Sequence, residues 1–335
     1  MAENPSPFEP RPILGTMTRP LALLALCCSA GFLSAQPYPS KPITLIIPFP
    51  PGGSTDIVGR IAADGMAREL GQPFVVDNRG GAGGAIGAKA IADAAADGYS
   101  LGIATISTHV VNPIVHGDLR YDPLKDFSFV SQIAAVPNVV SIHPSVPARS
   151  MAEFIDYAKK NPGKLNFGTP GIGSLGHLIG ETFKYYARVD MTHVPYRGGG
   201  PALNDALAGQ VQVLFDNLPS SLPHVQGGRL RALAVASDKR VRALPEVPTF
   251  AETGHPLVND PSWFGLIGPA RLPAEITSRL HAALVATLKQ PDALKRLDAA
   301  ASAPVGNSPD AFRKVVADAL DNTRKVVREA NLKFD

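Results

Sequence analysis

Ile43-Thr44-Leu45-Ile46-Ile47-Pro48-Phe49-Pro50-Pro51-Gly52-Gly53-Ser54-Thr55-Asp56 is the stretch whose reading decides the fold. Its first five residues are apolar or β-branched and read as a buried strand. Pro48, Pro50 and Pro51 cannot extend a hydrogen-bonded ladder, so the strand stops there. Gly52-Gly53 permits a tight turn and a close approach of backbone to a ligand. Ser54 or Thr55 is expected to cap a helix with an apolar face of Ile57, Val58, Ile61, Ala62 and Met66. Gly71, with Pro73 beyond it, ends that helix. A strand, a glycine turn and a helix start make an anion site, because first-turn N–H groups lack partners and the helix dipole favours negative charge. Most such turns bind nothing. The Phe-Pro-Pro rim, with glycines and hydroxyls behind it, raises the binding reading here.

The chain has 335 residues, enough for two domains with cores of their own. Hydrophobic residues make up 45% and charged residues 18%, which places it with globular proteins. A net charge of +3 without a basic block gives no support to a nucleic-acid partner. Residues 1–35 read as an extension plus a signal peptide. Met17-Thr18-Arg19 precedes the apolar run Leu21 to Leu33, and Ser34-Ala35 or Ser29-Ala30 suits a signal peptidase. Met17 is the expected start, and export from the cytoplasm follows. The run is short for a membrane span. Cys27 and Cys28 both fall in this segment, so the processed chain is expected to lack disulfides, thiol-held metal and a thiol nucleophile. Lipoprotein cleavage there is disfavoured by the bulky Leu26.

Beyond the opening turn the pattern repeats. Pro73 to Val76 is a second strand, and Asp77-Asn78-Arg79-Gly80-Gly81-Ala82-Gly83-Gly84 leads to an Ala-rich helix, Ala85 to Ala95. Tyr99 to Ala104 is a third strand, ending in the hydroxyls of Thr105, Ser107 and Thr108. Ser150 with Glu153 forms a capping box. Lys164 to Phe167 opens a second series through Gly168-Thr169-Pro170-Gly171-Ile172-Gly173-Ser174. Met191 to Val194 and Val211 to Phe215 follow as strands. Residues 164–216 echo 43–105, so two α/β lobes are expected, with crossovers near 130–140 and 262–268 and ligands at the strands' carboxyl edges. From Pro273 the chain turns helical and packs back on the first lobe.

Gly171-Ile172-Gly173-Ser174-Leu175-Gly176 matches a dinucleotide fingerprint, but the acidic residue expected about 20 positions on is missing. Tyr196 and Arg197 stand there, and Arg197 could meet a 2′-phosphate, so an NAD(P)-linked oxidoreductase using the Gly171–Gly176 turn is the alternative reading and a small-anion site the preferred one. Ser174 with His177 lacks a nucleophile elbow, and a serine at a helix start is more often a cap. His109, His143, His193 and His224 lack metal-ligand spacing and are read as structural. Asp56 is expected to stabilise a helix start, and Asp216 to accept from a ligand hydroxyl, amine or water. Phe49 and Tyr196 are pocket-wall candidates, and Trp263 a packed hinge residue.

These motifs, with Tyr38-Pro39-Ser40-Lys41-Pro42, Val194-Pro195-Tyr196-Arg197-Gly198 and Leu244-Pro245-Glu246-Val247-Pro248-Thr249, resemble the Bug family. These are TctC-type periplasmic receptors of tripartite tricarboxylate transporters, and the resemblance covers about residues 36 to 335. It implies a two-lobed periplasmic-binding-protein (Venus flytrap) α/β fold, with two mostly parallel sheets joined by two crossovers. Residues 36–136 with 266–335 would form one lobe and 137–265 the other. It implies no catalysis and no cofactor. The expected ligand is a small carboxylate: a di- or tricarboxylate, an acidic amino acid or an aromatic acid. Pro48 to Asp56 would hold a carboxylate, and Thr169 to His177 with Asp216 would form the opposing jaw, partly through water. The expected ligand-binding set is Phe49, Gly52, Gly53, Ser54, Thr55, Asp56, Thr105, Ser107, Thr169, Gly173, Ser174, His177, Tyr196 and Asp216. The implied partners are one large and one small membrane protein, with the receptor itself monomeric. A ligand-sensing co-receptor is a further alternative with the same fold.

Overall fold

The computed structural model describes residues 38–335 apart from Asp260, Ala330, Lys333 and Asp335. The expected signal segment, its Met17 start and both cysteines lie outside the described residues. The strand that opens the chain is β1 (Ile43–Ile47). Its side chains alternate as a pleated strand requires. Ile43, Leu45 and Ile47 face a core shared with α1 (Ser54–Leu70), whereas Ile46 faces the opposite core with Ala88 and Ile91 of α2 (Ala85–Ala92). Helix α1 ends at Gly71, left-handed at φ 69°, whose N–H donates to Ala67 C=O. It starts one residue earlier than the sequence suggests. Gly53 is the flanking residue, and neither Ser54 nor Thr55 caps it.

Strand β2 (Phe74–Asn78) and β3 (Ser100–Thr105) flank β1 in parallel. After β3 one wide turn, Ser107–Val111, leads into the short α3 (Asn112–Val115). Then β4 (Phe127–Val136) and β5 (Asn138–Ile142) are separated by Pro137 alone, and the chain changes sheet there. The second sheet continues through α4 (Met151–Lys160), β6 (Leu165–Thr169), α5 (Leu175–Ala187), β7 (Met191–Pro195), α6 (Gly199–Leu207), β8 (Val213–Asn217), α7 (Leu218–Gln226) and β9 (Arg231–Ala236). The chain returns to the first sheet with β10 (Ser262–Pro269) and finishes through α8 (Ala274–Thr287), α9 (Pro291–Ala299), β11 (Ala303–Pro304) and α10 (Pro309–Glu329). These last helices pack on α1 and β4, as expected.

The sheets run β11-β4-β10-β3-β1-β2 and β7-β6-β8-β5-β9. Both are mixed, which corrects the expectation of mostly parallel sheets. Among the described residues, four of the nine strand pairings are parallel. Parallel pairs arise where a helix returns the chain to the same edge. Strands β5 and β10 arrive from the other sheet without such a helix, and each lies antiparallel to its neighbours. This reversal matters for the site. Phe264 of β10 pairs with Thr105, so the beginning of β10 sits at the carboxyl edge of β3.

Helix α7 has no counterpart in the sequence reading, because Pro219 and Pro223 argue against a helix. Pro219 occupies the first turn, where its missing N–H is no loss. The Ser150 capping box forms in half: Ser150 Oγ accepts from Glu153 N–H at 3.2 Å, whereas Glu153 Oε2 accepts from the preceding Arg149 N–H at 2.7 Å.

Candidate ligand-binding cleft

The loop Pro48 to Gly53 is held by one buried carboxylate. Asp56 Oδ2 accepts from Gly52 N–H at 3.1 Å, and Asp56 Oδ1 accepts from Arg60 Nε at 3.0 Å and Asn78 Nδ2 at 2.9 Å. Asn78 Nδ2 also donates to Phe49 C=O at 2.9 Å, which ties both ends of the loop to one point. Burial would raise the Asp56 pKa, but the hydrogen bonds from Arg60, Asn78 and the Gly52 amide outweigh it and hold it below the usual value. Gly52 turns at φ 83°, a conformation that favours glycine. The acceptors of Asp56 are thus engaged by its own lobe, so its place is behind the site. The expected Gly52 contact goes the same way, since its N–H points at Asp56.

The turn delivers Gly53, Ser54 and Thr55 to the mouth of a cavity of about 20 Å³. Phe49, Thr105, Ser107, Ser262 and Phe264 line it from the first sheet's side, and Pro170, Gly199, Asp216 and Asn217 from the second's. Asp216 is the only charged residue among the described residues lining it. The starts of three helices converge there. Ser54 and Thr55 open α1, Gly199 opens α6, and Asn217 flanks α7. A Cβ on Gly53 would lie 3.6 Å from Gly200 N, so α1 and α6 meet end to end. Three dipoles thus point their positive ends at one small space without a lysine or arginine.

Asp216 is 3% exposed. Its Oδ2 accepts from Ser220 Oγ at 2.6 Å and Ser221 Oγ at 3.2 Å. Burial raises its pKa, against the opposing pull of Ser220, the Asn217 amide and Ser221. Thr105 is fixed by a reciprocal pair: Thr108 N–H donates to Thr105 Oγ1 at 3.1 Å, and Thr105 N–H to Thr108 Oγ1 at 3.0 Å. Thr108 Oγ1 in turn meets His109 Nδ1 at 2.9 Å.

Of the expected residues, Phe49, Gly53, Ser54, Thr55, Thr105, Ser107 and Asp216 come together around this cavity. Thr169, Gly173, Ser174, His177 and Tyr196 do not line it. Ser174 Oγ caps α5 by accepting from His177 N–H at 3.2 Å. Thr169 Oγ1 meets His193 Nε2 at 2.7 Å and accepts from Gly171 N–H at 3.2 Å. His177 stacks on His193, centroids 4.0 Å apart and planes 11° from parallel. Tyr196 turns its hydroxyl to Asp205 Oδ2 at 2.7 Å. Ser262 and Phe264 escaped the sequence reading because they begin an antiparallel strand, and a strand's direction is not written in its own residues. Pro170 sits in a glycine-rich turn that the sequence reading marked, and Gly199 and Asn217 directly follow Gly198 and Asp216, which it named; none of the three was assigned to the site.

The Gly171 to Gly176 pattern has a local explanation. Gly171 and Gly173 turn at φ 129° and 76°, and a Cβ on Gly176 would come within 2.5 Å of Phe215 C=O. The glycines make a turn and a close helix–strand approach, and the α5 start is occupied by serine caps. A roomier groove of about 370 Å³ lies between α5 and α10, lined largely by aliphatic side chains such as Leu178, Ile179 and Val315. It has no converging helix starts.

Comparison with known proteins agrees with this architecture. Residues 58–332 match the profile of the TctC family, "Tripartite tricarboxylate transporter family receptor". The chain belongs to this TctC receptor family. Its receptors bind solutes and are not enzymes, so the NAD(P)-linked reading falls. Among curated relatives, Protein BugT of Bordetella pertussis is 37% identical over 323 residues, spanning 95% of this chain and 99% of BugT. A solved periplasmic transporter superposes with a TM-score of 0.88 at 49% identity, covering 89% of this chain and all of the other. An R. palustris protein with adipate gives 0.85 at 38% identity, over 88% of this chain and 99% of that one. MatC from Rhodopseudomonas palustris with bound malate gives 0.83 at 31%, over 87% of this chain and 100% of MatC. TctC receptors are periplasmic, and no described helix here is long and apolar enough to cross a membrane.

Proposed function

We propose that this receptor takes up a small organic carboxylate in the cleft between Thr55 and Asp216. The observation that carries the reading is the meeting of three helix starts at a cavity with no basic side chain among the described residues that line it. First-turn amides of α1 and α6 supply donors of fixed direction, those of α7 being taken by Pro137 C=O and Ser54 Oγ, and the converging dipoles of all three supply positive potential. Charge-assisted hydrogen bonds contribute roughly 1.5–3 kcal/mol each. Three or four of them, after ordering costs, reach the about −8 kcal/mol of micromolar binding. Adipate and malate in two related structures support the same ligand class. At about 20 Å³ the cavity holds little more than a water molecule, so an organic acid enters only when the lobes part.

We assign residues 38–136 and the C-terminal part to one lobe, and the segment from Pro137 to the other. The pairing of Ser262 with Val136 supports a second boundary ahead of Ser262, a few residues before the one expected between 265 and 266. Export by the N-terminal segment, a monomeric receptor and delivery to one large and one small membrane protein complete the proposal. Thermal unfolding of purified protein against adipate, malate, citrate, acidic amino acids and aromatic acids tests it. The expected result is a melting temperature that rises with one of these acids, by about 2.7 kcal/mol of added stability at a hundredfold excess over Kd. Thr55→Ala should weaken that ligand. A panel in which no acid moves the melting temperature would refute the reading.

A further inference from the structure

Two hydroxyls of the first lobe end on main-chain amides of the second. Ser54 Oγ accepts from Ser220 N–H at 3.0 Å, lies 2.8 Å from Ser220 Oγ and 3.0 Å from Asn217 C=O. Ser220 is the third residue of α7, whose first-turn N–H groups have no acceptor inside the helix. The residue placed to cap it, Asn217, does not: its side-chain amide donates to Asn138 Oδ1 at 2.7 Å. The task falls to a serine 166 positions away in sequence, across the cleft. The second case is Ser107 Oγ, which accepts from Leu175 N–H, the first amide of α5, at 3.0 Å. Both serines, Ser220 and Leu175 are buried.

We infer that Ser54 and Ser107 are helix caps supplied in trans, and that these caps latch the cleft shut without help from a ligand. The bonds exist only when the lobes meet, so they favour closure. They join protein to protein, so they act before any solute is bound. Ser220 Oγ also donates to Asp216 Oδ2, which makes the latch and the buried carboxyl one network. The ligand is then left the backbone amides and the hydroxyls of Thr55 and Thr105, while Ser54 serves closure. A cap of this kind shifts an equilibrium by about tenfold, weak enough for the cleft to keep opening. The inference uses the two-lobed fold and stands apart from the identity of the ligand.

Amide hydrogen exchange on ligand-free protein tests it, residue by residue, in wild type, Ser54→Ala, Ser107→Ala and Ser54→Thr. In wild type the Ser220 and Leu175 amides should exchange slowly. Because opening exposes both, Ser54→Ala should speed both by about tenfold, and Ser107→Ala should do the same. Ser54→Thr keeps the hydroxyl and should restore protection. The Leu45 amide, in the core of β1, should stay unchanged and report that the fold is intact. Two results would overturn the inference: unprotected Ser220 and Leu175 amides in wild type, or variants that each speed only their own partner. The second outcome would mean that the serines are local caps with no hold on closure. No acid is added, so the result is independent of the panel above.

Discussion

A single carboxylate shows how much one residue can organise without touching a ligand. Asp56 gathers the Gly52 amide, the Arg60 guanidinium and the Asn78 amide, and through them fixes the loop that presents Gly53 to Thr55. Asp56→Ala removes the acceptor of Gly52 N–H and Arg60 Nε and leaves Asn78 Nδ2 with Phe49 C=O alone. Such loss should cost about 1–3 kcal/mol in urea unfolding and weaken ligand binding through loop disorder. Asp56→Asn retains one acceptor oxygen and should fall between. The sequence made the helix-start role of Asp56 legible, since an acid in a first turn suits the dipole. It left the same residue in the ligand set, because nothing local says that Asn78 will arrive to claim its oxygen. Ser54 is the sharper case. Its partner is Ser220, and only the folded chain brings them together.

At the scale of elements, the strand–turn–helix units were readable because apolar periodicity and glycines mark them locally. Helix α7 was hidden by its prolines and β10 by its direction, and the site draws Asn217, Ser262 and Phe264 from the ends of these elements. Element packing also sets what a glycine does. Gly65 lies where α1 meets α8, and a Cβ there would fall 2.1 Å from Thr287 Cγ2. Thr287 is fully buried and cannot swing aside. Overpacking of about 1–3 kcal/mol should therefore exceed the roughly 1 kcal/mol that alanine gains in helix propensity. Gly65→Ala should lower stability in chemical denaturation. Adding Thr287→Ala should recover most of the loss, since the Thr287 hydroxyl has no partner among the described residues. A double-mutant cycle measures the coupling.

Across the whole molecule, buried histidines set the response to acid. Burial, with Lys184 and His116 nearby, lowers His177 to about 4. Burial, with His177 and Lys184, lowers His193 to about 3, and burial alone lowers His109 to about 3. All three are depressed below the unfolded value of 6.5. Their contribution is complete above that pH and is lost as the unfolded chain takes up protons that the fold refuses. Asp216 acts in the opposite sense, since its raised pKa makes the charged form costly and acid relieves it. Three histidines outweigh one carboxyl, so the melting temperature should fall as pH drops from 6.5 towards 4. His177→Gln should flatten that slope.

The route of the chain between its sheets has a last consequence. It leaves the first sheet after Val136 and rejoins at Ser262, and these two residues are direct antiparallel neighbours. That is the geometry of a hairpin whose tip has been opened to admit a whole lobe. A two-residue reverse turn would span the same gap. The seam is therefore a natural graft point, where genes could have spliced one jaw into another and where a protein engineer could exchange the inserted half for one of different taste.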